Sequence, residues 1–192
     1  MIKKTVIAMI IILALTSIYS GAYKPLAKAQ MYIKAQSGVP TYRTMEQLVT
    51  EFDKMFNFRS PIGQEEVIKF TNSNFGTLIM NENQSEIASL SLVQYVEDKI
   101  FEDNVVQLLQ LAGMYGTLHS RFGRQEYLNK TEEYYKKVRE IGPKLPHALY
   151  GLFNLYKRSG QTEKMKEIGG KILELWPEDN GIKKIVDSFK NI

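Results

Sequence analysis

Apolar and polar residues alternate with a helical period along most of the chain after residue 30. Large apolar side chains recur every three or four positions, and no segment alternates in the two-residue pattern of a strand. Residues 43–57 place Met45, Leu48, Val49, Phe52, Met55 and Phe56 on one face. The pattern predicts an all-α fold, with further helices at 85–100, 105–118, 127–141, 147–158, 162–175 and from Asp179 onward, the last with Ile182, Ile185, Val186 and Phe189 on one face.

Turn-forming residues predict where these helices begin and end. Ser60 is expected to cap a helix whose first position is Pro61, and the polar stretch 71–76 is expected to weaken or end that helix. The remaining breaks are predicted at the loops 81–84 and 121–125, at Gly142-Pro143 and at the Ser159-Gly160 turn.

The N-terminal segment favours a membrane location. Residues 5–23 carry no charge, and at about 1.5 Å per residue they reach roughly the thickness of a bilayer's hydrocarbon layer. A signal peptide cut at Ala27-Lys28-Ala29, before Gln30, is one interpretation. An uncleaved anchor is the other, and we favour it because the run exceeds most signal cores and has Tyr19 and Tyr23 at its interfacial end.

Charge separates this N-terminal segment from the rest. The net charge is +4, and residues 1–29 hold four lysines and no acid, so the remaining 21 basic residues equal the 21 acidic ones. A nucleic-acid surface is therefore not expected. The short basic head predicts a cytoplasmic N-terminus and an extracytoplasmic C-terminal domain. The expected divisions are 1–29 (signal peptide or anchor), 30–80 (helical lead-in) and 81–192 (helical repeats with a capping helix).

Two helices end in proline 34 residues apart, at Pro143 and Pro177, which is the period of the tetratricopeptide repeat. The segment from Pro146 resembles that repeat's consensus at Leu149, Leu152, Tyr156, Gly160 and Pro177. The preceding unit resembles it at Leu108, Leu111, Ala112, Tyr115, Tyr135, Val138 and Pro143, with an internal loop about seven residues longer than the 34-residue unit requires. The resemblance implies stacked helical hairpins, an α-solenoid, to which residues 60–102 are a further degenerate candidate.

The second unit departs from the consensus at three positions, with Phe153, Met165 and Gly169 in place of a small residue, alanine and an aromatic residue. We expect the ring of Phe153 to fill the space that Gly169 leaves empty. An irregular helical bundle is the alternative to the repeat, since any packed helix shows such spacing. Two adjacent matches in register favour the repeat.

The order of segments resembles a larger family as well. YKPLAKAQMYIKA after the apolar run, then FNFRSPIGQEE, then EYLNKTEEYYKKVREIGPKLPHALYGL resemble the C-terminal part of bacterial O-antigen ligase or polymerase-like membrane proteins that end in tetratricopeptide repeats. In that family the glycan transfer belongs to a multi-helix membrane portion, which this chain does not contain. The resemblance therefore implies a setting in surface-polysaccharide assembly and no transferase activity.

The sequence holds no motif of an enzyme or of a cofactor site. The chain has no cysteine, and its two histidines, His119 and His147, lie outside any zinc-binding spacing. GxSxG, Walker and GxGxxG motifs are absent from the sequence. We expect no catalytic residue, no metal and no cofactor.

The repeat register predicts a binding surface on the first helix of each unit. Its inward face presents two sets, Tyr150, Asn154, Lys157 and Arg158 from one unit and Leu109 and Gly113 from the other. An amide and two cations there suit an extended peptide or an acidic terminus. Lys157 and Arg158 also fit a simpler interpretation, the basic end of a helix stabilised by its dipole.

The sequence thus predicts a membrane-anchored, non-enzymatic scaffold at the cell envelope that binds a protein or peptide partner. A secreted, soluble helical protein that binds a small ligand or glycan is the alternative.

Overall fold

The structure, a computed structural model, describes residues 2–188. These residues form ten α-helices and no β-strand, which confirms the all-α prediction for them. The helices are α1 (Ile2–Ile18), α2 (Lys24–Gly38), α3 (Met45–Phe56), α4 (Gln64–Met80), α5 (Glu86–Glu97), α6 (Val105–Phe122), α7 (Gln125–Ile141), α8 (Pro146–Arg158), α9 (Thr162–Leu175) and α10 (Asn180–Ser188).

α1 and α2 form one continuous helix through a wider, π-helical turn at Tyr19–Tyr23. There the Lys24 N–H donates to Tyr19 O, five residues back, and the next residue, Pro25, has no N–H to continue the regular ladder. The side chains of residues 3–18 are exposed. The helix from Lys3 to Thr41 is long and apolar enough to span a membrane or to act as a signal sequence.

The chain divides into two compact units, with the boundary between Thr71 and Asn72 inside α4. In the first unit α2 packs against α3, and Tyr42 donates its hydroxyl to Ala35 O at 3.0 Å. α3 confirms the helix predicted for 43–57. The buried apolar side chains of this unit are Ala35, Leu48, Phe52, Met55, Val67 and Ile68.

The helix predicted to begin at Ser60-Pro61 begins at Gln64. Ser60 Oγ donates to Ile62 O at 2.7 Å, which folds the segment into a turn instead of capping a helix. Gly63 follows with φ of +92°, a left-handed conformation that interrupts a helix and suits glycine. The prediction was wrong because the glycine, and not the Ser-Pro pair, sets the boundary.

The polar stretch 71–76 does not end α4, which continues to Met80. Thr71 is buried and donates its hydroxyl to the carbonyl four residues earlier, at 2.7 Å. Further along, Phe75 and Ile79 are fully buried. Their burial outweighs the modest helix propensities of Thr, Asn and Ser, so the expected break was wrong.

In the second unit each helix from α5 to α9 packs against the helix that follows it in the chain. Side chains cap the starts of α5, α6 and α10: Ser85, Asn104 and Asp179 accept backbone N–H groups there. Gly123 ends α6 with φ of +69°. The helices predicted to begin at Ser85 and at Asp179 begin one residue later, directly after these caps, and Phe189 lies outside the described residues.

The long connection predicted between the two helices of the first expected repeat unit is not a loop. Only Gly123 and Arg124 separate α6 from α7, and the extra residues lengthen these helices to 18 and 17 residues. Tyr127 and Leu128 are both buried, so the first turn of α7 belongs to the packed unit. The predicted loop at 121–125 was therefore too long.

The packing predicted for Phe153 and Gly169 is confirmed. A Cβ placed on Gly169 would lie 3.1 Å from Phe153 Cε2 and 2.6 Å from Val186 Cγ2. The glycine therefore lets α8 and α10 approach α9 closely. The cluster around it contains Leu149, Leu152, Phe153, Tyr156, Met165, Ile168, Ile172, Ile182 and Val186.

Two adjacent glycines of α9 provide a matched test of this packing. We expect Gly169→Ala to destabilise the full chain by about 1–3 kcal/mol, because the stiff Val186 side chain must move. Gly170→Ala meets no atom within 4 Å and should stabilise the helix by up to about 1 kcal/mol. Denaturation followed by the fluorescence of Trp176, the single tryptophan, measures both. Equal shifts for the two variants would contradict this account.

Candidate binding groove

A cavity of about 720 Å³ opens on the second unit between α6 and α8. Its lining side chains recur at helical spacing, with Gly113, Gly116, Thr117 and Ser120 from α6 and Gly151, Asn154, Leu155 and Arg158 from α8. α7 adds Leu128, Thr131 and Tyr135. One face of each helix therefore builds the groove, and the volume falls within the range of about 300–1,000 Å³ common for ligand sites.

Two glycines that line this groove have different surroundings. A Cβ on Gly151 would overlap the ring of Tyr135, so the close packing of α7 on α8 requires glycine there. A Cβ on Gly113 would meet nothing within 4 Å. The backbone of α6 at Gly113 is thus bare toward the open cavity without any packing need.

Three of the six predicted binding residues line the groove: Gly113, Asn154 and Arg158. Arg158 Nη2 donates to Ser120 Oγ at 3.4 Å across the groove, a long hydrogen bond, and the guanidinium makes no ion pair within residues 2–188. The exposed amide of Asn154 likewise has no hydrogen bond in that range. Both side chains therefore keep donors available to a bound molecule.

The other three predicted residues lie away from the cavity lining. Tyr150 packs its ring against Trp176 at 5.8 Å and donates its hydroxyl to Asp179, so it is used inside the fold. Lys157 is exposed beside the groove, and Leu109 is half-buried one turn earlier on α6. Their binding role stays a prediction.

Arg121 closes one end of the groove and was not singled out from the sequence. Its guanidinium donates to the carbonyls of Ile79, Glu82 and Gln84 and to Ser89 Oγ, at 2.7 Å for Gln84 and 3.2 Å for Glu82 and Ser89. A cation at the C-terminal end of α4 also interacts favourably with the helix dipole. Arg121 therefore fixes the 81–84 loop, and its donors are used within the protein.

Most of the lining was missed by the sequence analysis, although a signal exists. Small or polar residues recur at i, i+3, i+4 and i+7 on α6 and at i, i+3 and i+7 on α8, which marks one continuous face on each helix. The positions are Gly113, Gly116, Thr117 and Ser120, then Gly151, Asn154 and Arg158.

The helices that carry the groove are joined by hydrogen bonds from tyrosine to carboxylate. Glu97 of α5 accepts the hydroxyls of Tyr115 on α6 and Tyr134 on α7, and Lys130 Nζ lies 3.2 Å from it. The two tyrosine rings stack with centroids 5.8 Å apart. One carboxylate therefore holds three helices together.

The same arrangement recurs along the unit. Tyr127 donates to Glu86 Oε1 at 2.9 Å, and Arg124 holds both oxygens of that carboxylate. Tyr156 of α8 donates to Glu132 of α7 at 3.0 Å. Burial, together with the bond to Glu86, raises the pKa of Tyr127 to about 12.

Glu97 responds to two opposing effects. Burial raises the pKa of its carboxyl, but the hydrogen bonds from Tyr115, Tyr134 and Lys130 outweigh it and leave the pKa below its ordinary value. Burial and the same bonds raise the pKa values of Tyr115 and Tyr134. The network is thus complete only while the carboxylate is ionised and the tyrosines are protonated.

Within residues 2–188, no group of three histidine or acidic side chains is arranged to hold a metal ion. Comparison with known protein families, curated proteins and solved structures returned no match to this chain.

We expect Glu97→Gln to destabilise the chain at pH 7 by about 1–3 kcal/mol, because bonds to a charged acceptor are lost. The pKa of Glu97 is lower in the folded chain than in the unfolded chain, where it is about 4.3. Its contribution to the free energy of unfolding is therefore complete above the unfolded pKa and is lost as the pH falls through the folded pKa. The variant should therefore show a flatter stability curve between pH 5 and 3 in thermal denaturation.

Glu163→Gln serves as the control, since the Glu163 side chain is 89% exposed. If the stability of Glu97→Gln falls between pH 5 and 3 as steeply as that of the parent chain, the network does not contribute to stability.

Proposed function

We propose that the chain is a membrane-anchored, non-enzymatic scaffold in which helical hairpins of the tetratricopeptide type hold a protein or peptide in the groove between α6 and α8. The observation that carries the proposal is this groove, with the free donors of Asn154 and Arg158 at its wall. We further propose that the second unit faces the extracytoplasmic side.

The order of packing supports the hairpin part of the proposal. α6 packs on α7 and α8 on α9, and α7 packs on α8 between the two pairs. Each pair is followed by proline, at Pro143 and Pro177. Consecutive packing of similar pairs is what a stacked array requires, because a single pair cannot bury its own apolar faces.

The chemistry of the groove supports a peptide as its occupant. The apolar side chains of Leu128 and Leu155 lie beside the polar groups of Thr117, Asn154 and Arg158. An extended peptide offers backbone carbonyls and carboxylates to such donors, and a guanidinium binds a carboxylate through two hydrogen bonds.

Lys28 supports an anchor that stays on the mature chain. It lies in the middle of the possible cleavage motif, yet its side chain is only 2% exposed and donates to Phe58 O at 2.9 Å and to Gln64 Oε1. Cleavage before Gln30 would divide α2 and leave both acceptors without this partner. The fold of the first unit thus uses residues that a signal peptidase would remove.

A setting in surface-polysaccharide assembly is part of the proposal and rests only on the family resemblance of the sequence. A secreted protein that binds a small ligand or glycan is the second candidate, favoured by the cavity volume of about 720 Å³.

A photo-crosslinking amino acid at Thr117, inside the groove, tests the binding site in the full chain. We expect it to crosslink one protein in the membranes of expressing cells. Gly113→Phe should lower the yield at least tenfold, because the ring fills the cavity. The double variant Asn154→Ala, Arg158→Ala should also lower the crosslinking yield about tenfold, which corresponds to a loss of about 1.4 kcal/mol in binding free energy.

Gly170→Phe is the matched control, since that glycine also has open space around it and lies outside the groove. Crosslinking that survives Gly113→Phe would exclude the groove as the site.

N-terminal processing tests the anchor. We expect the mature chain to sediment with membranes and to keep residues 1–29, as shown by intact mass and N-terminal sequencing, because Lys28 is part of the fold. Ala27→Leu replaces one of the two small residues of the cleavage motif, and the mass of this variant should differ from that of the parent chain only by the substitution. A soluble chain that begins at Gln30 would favour the secreted alternative.

A further inference from the structure

The turn between α3 and α4, residues 57–63, is fastened to α2 at Lys28. The Lys28 ammonium binds Phe58 O at 2.9 Å and Gln64 Oε1, so both ends of the turn share one cation. The backbone of Gly63 also lies beside this side chain, since a Cβ there would be 3.9 Å from Lys28 Cδ. These contacts hold the turn at a defined level along α2.

That level follows from distance along the helix. Lys28 lies five residues beyond Tyr23, where the uncharged run ends, or about 7.5 Å at 1.5 Å per residue. The headgroup layer on each side of the hydrocarbon is about 5–7 Å thick. A helical side chain points back toward the N-terminus, which here is toward the membrane. The turn therefore lies at headgroup depth when residues 5–23 span a bilayer.

The surface at this level has the composition of a membrane interface. Ile62 in the turn is 60% exposed and Leu26 on α2 is 58% exposed. Arg59 of the turn is exposed, and Lys24 lies over the ring of Tyr19 at 5.2 Å. Apolar side chains next to cations bind the headgroup boundary of anionic bilayers.

We propose that the 57–63 turn is a second membrane contact, in which Ile62 enters the headgroup boundary and Arg59 binds the phosphates of anionic lipids. The inference rests on the anchor proposed above. It assigns a lipid surface to side chains that are exposed within the first unit. Two contacts, one spanning and one interfacial, orient that unit on the bilayer, whereas a single helix leaves rotation about its axis free.

The chain contains no cysteine, so single cysteines can carry an environment-sensitive fluorophore. The full chain with Ile62→Cys, in vesicles of phosphatidylcholine and phosphatidylglycerol, should show blue-shifted emission and quenching by lipids with a headgroup nitroxide. Glu46→Cys, exposed at the far end of α3, should show neither effect. Arg59→Glu should lower the quenching at position 62 at least twofold in these vesicles.

Ile12→Cys, within α1, separates the inference from the anchor. If position 12 is quenched by lipids labelled deep in their chains and position 62 behaves like position 46, the turn does not touch the bilayer and the anchor stands. If neither position is quenched, the anchor and the inference both fail. Quenching at both positions, with equal helical content by circular dichroism, supports the second contact.

Discussion

The second unit depends on tyrosine hydroxyls that donate to carboxylates across helix interfaces. A tyrosine buries its ring in the apolar contact between two helices and donates its hydroxyl to a polar group at the edge of that contact. One side chain therefore supplies both apolar burial and a directional hydrogen bond. Glu97 accepts two such hydroxyls, from Tyr115 and Tyr134, and Glu132 accepts that of Tyr156. In each bond the donor and the acceptor lie on different helices. These bonds therefore fix the rotation of each helix about its axis, which apolar contact alone specifies only loosely.

This rotation decides which faces remain for the groove. Tyr115 follows Gly113 by two residues, and Tyr156 follows Asn154 by two, a separation of about 200° around a helix with 3.6 residues per turn. α6 and α8 are therefore each tied into the unit by a tyrosine on one side and present small or polar residues on the other. The cavity lies on that second side.

Sequence periodicity predicted the helices well, because apolar spacing is a local property. It failed where a boundary depends on tertiary burial. The first turn of α7 is helical because Tyr127 and Leu128 are buried, and α4 continues past residues 71–76 because Phe75 and Ile79 are buried. Half of the predicted binding residues line the groove. Asn154 and Arg158 were predicted from the expected repeat register. Tyr150 does not line the groove, because its hydroxyl donates to Asp179, which lies 29 residues away and which no local pattern indicates as a partner.

The glycines show how far packing alone explains the groove. Gly151 and Gly169 are required by neighbouring rings and side chains, but Gly113 has no such neighbour and weakens α6 by up to about 1 kcal/mol relative to alanine. Open space around a glycine does not by itself mark a binding site, since a Cβ on Gly170 would also meet no atom within 4 Å. Gly113 differs because Gly116 lies one turn further on the same face and both line the cavity. A bare stretch of helix backbone there suits a ligand that approaches closely, which gives the weakened helix a physical reason.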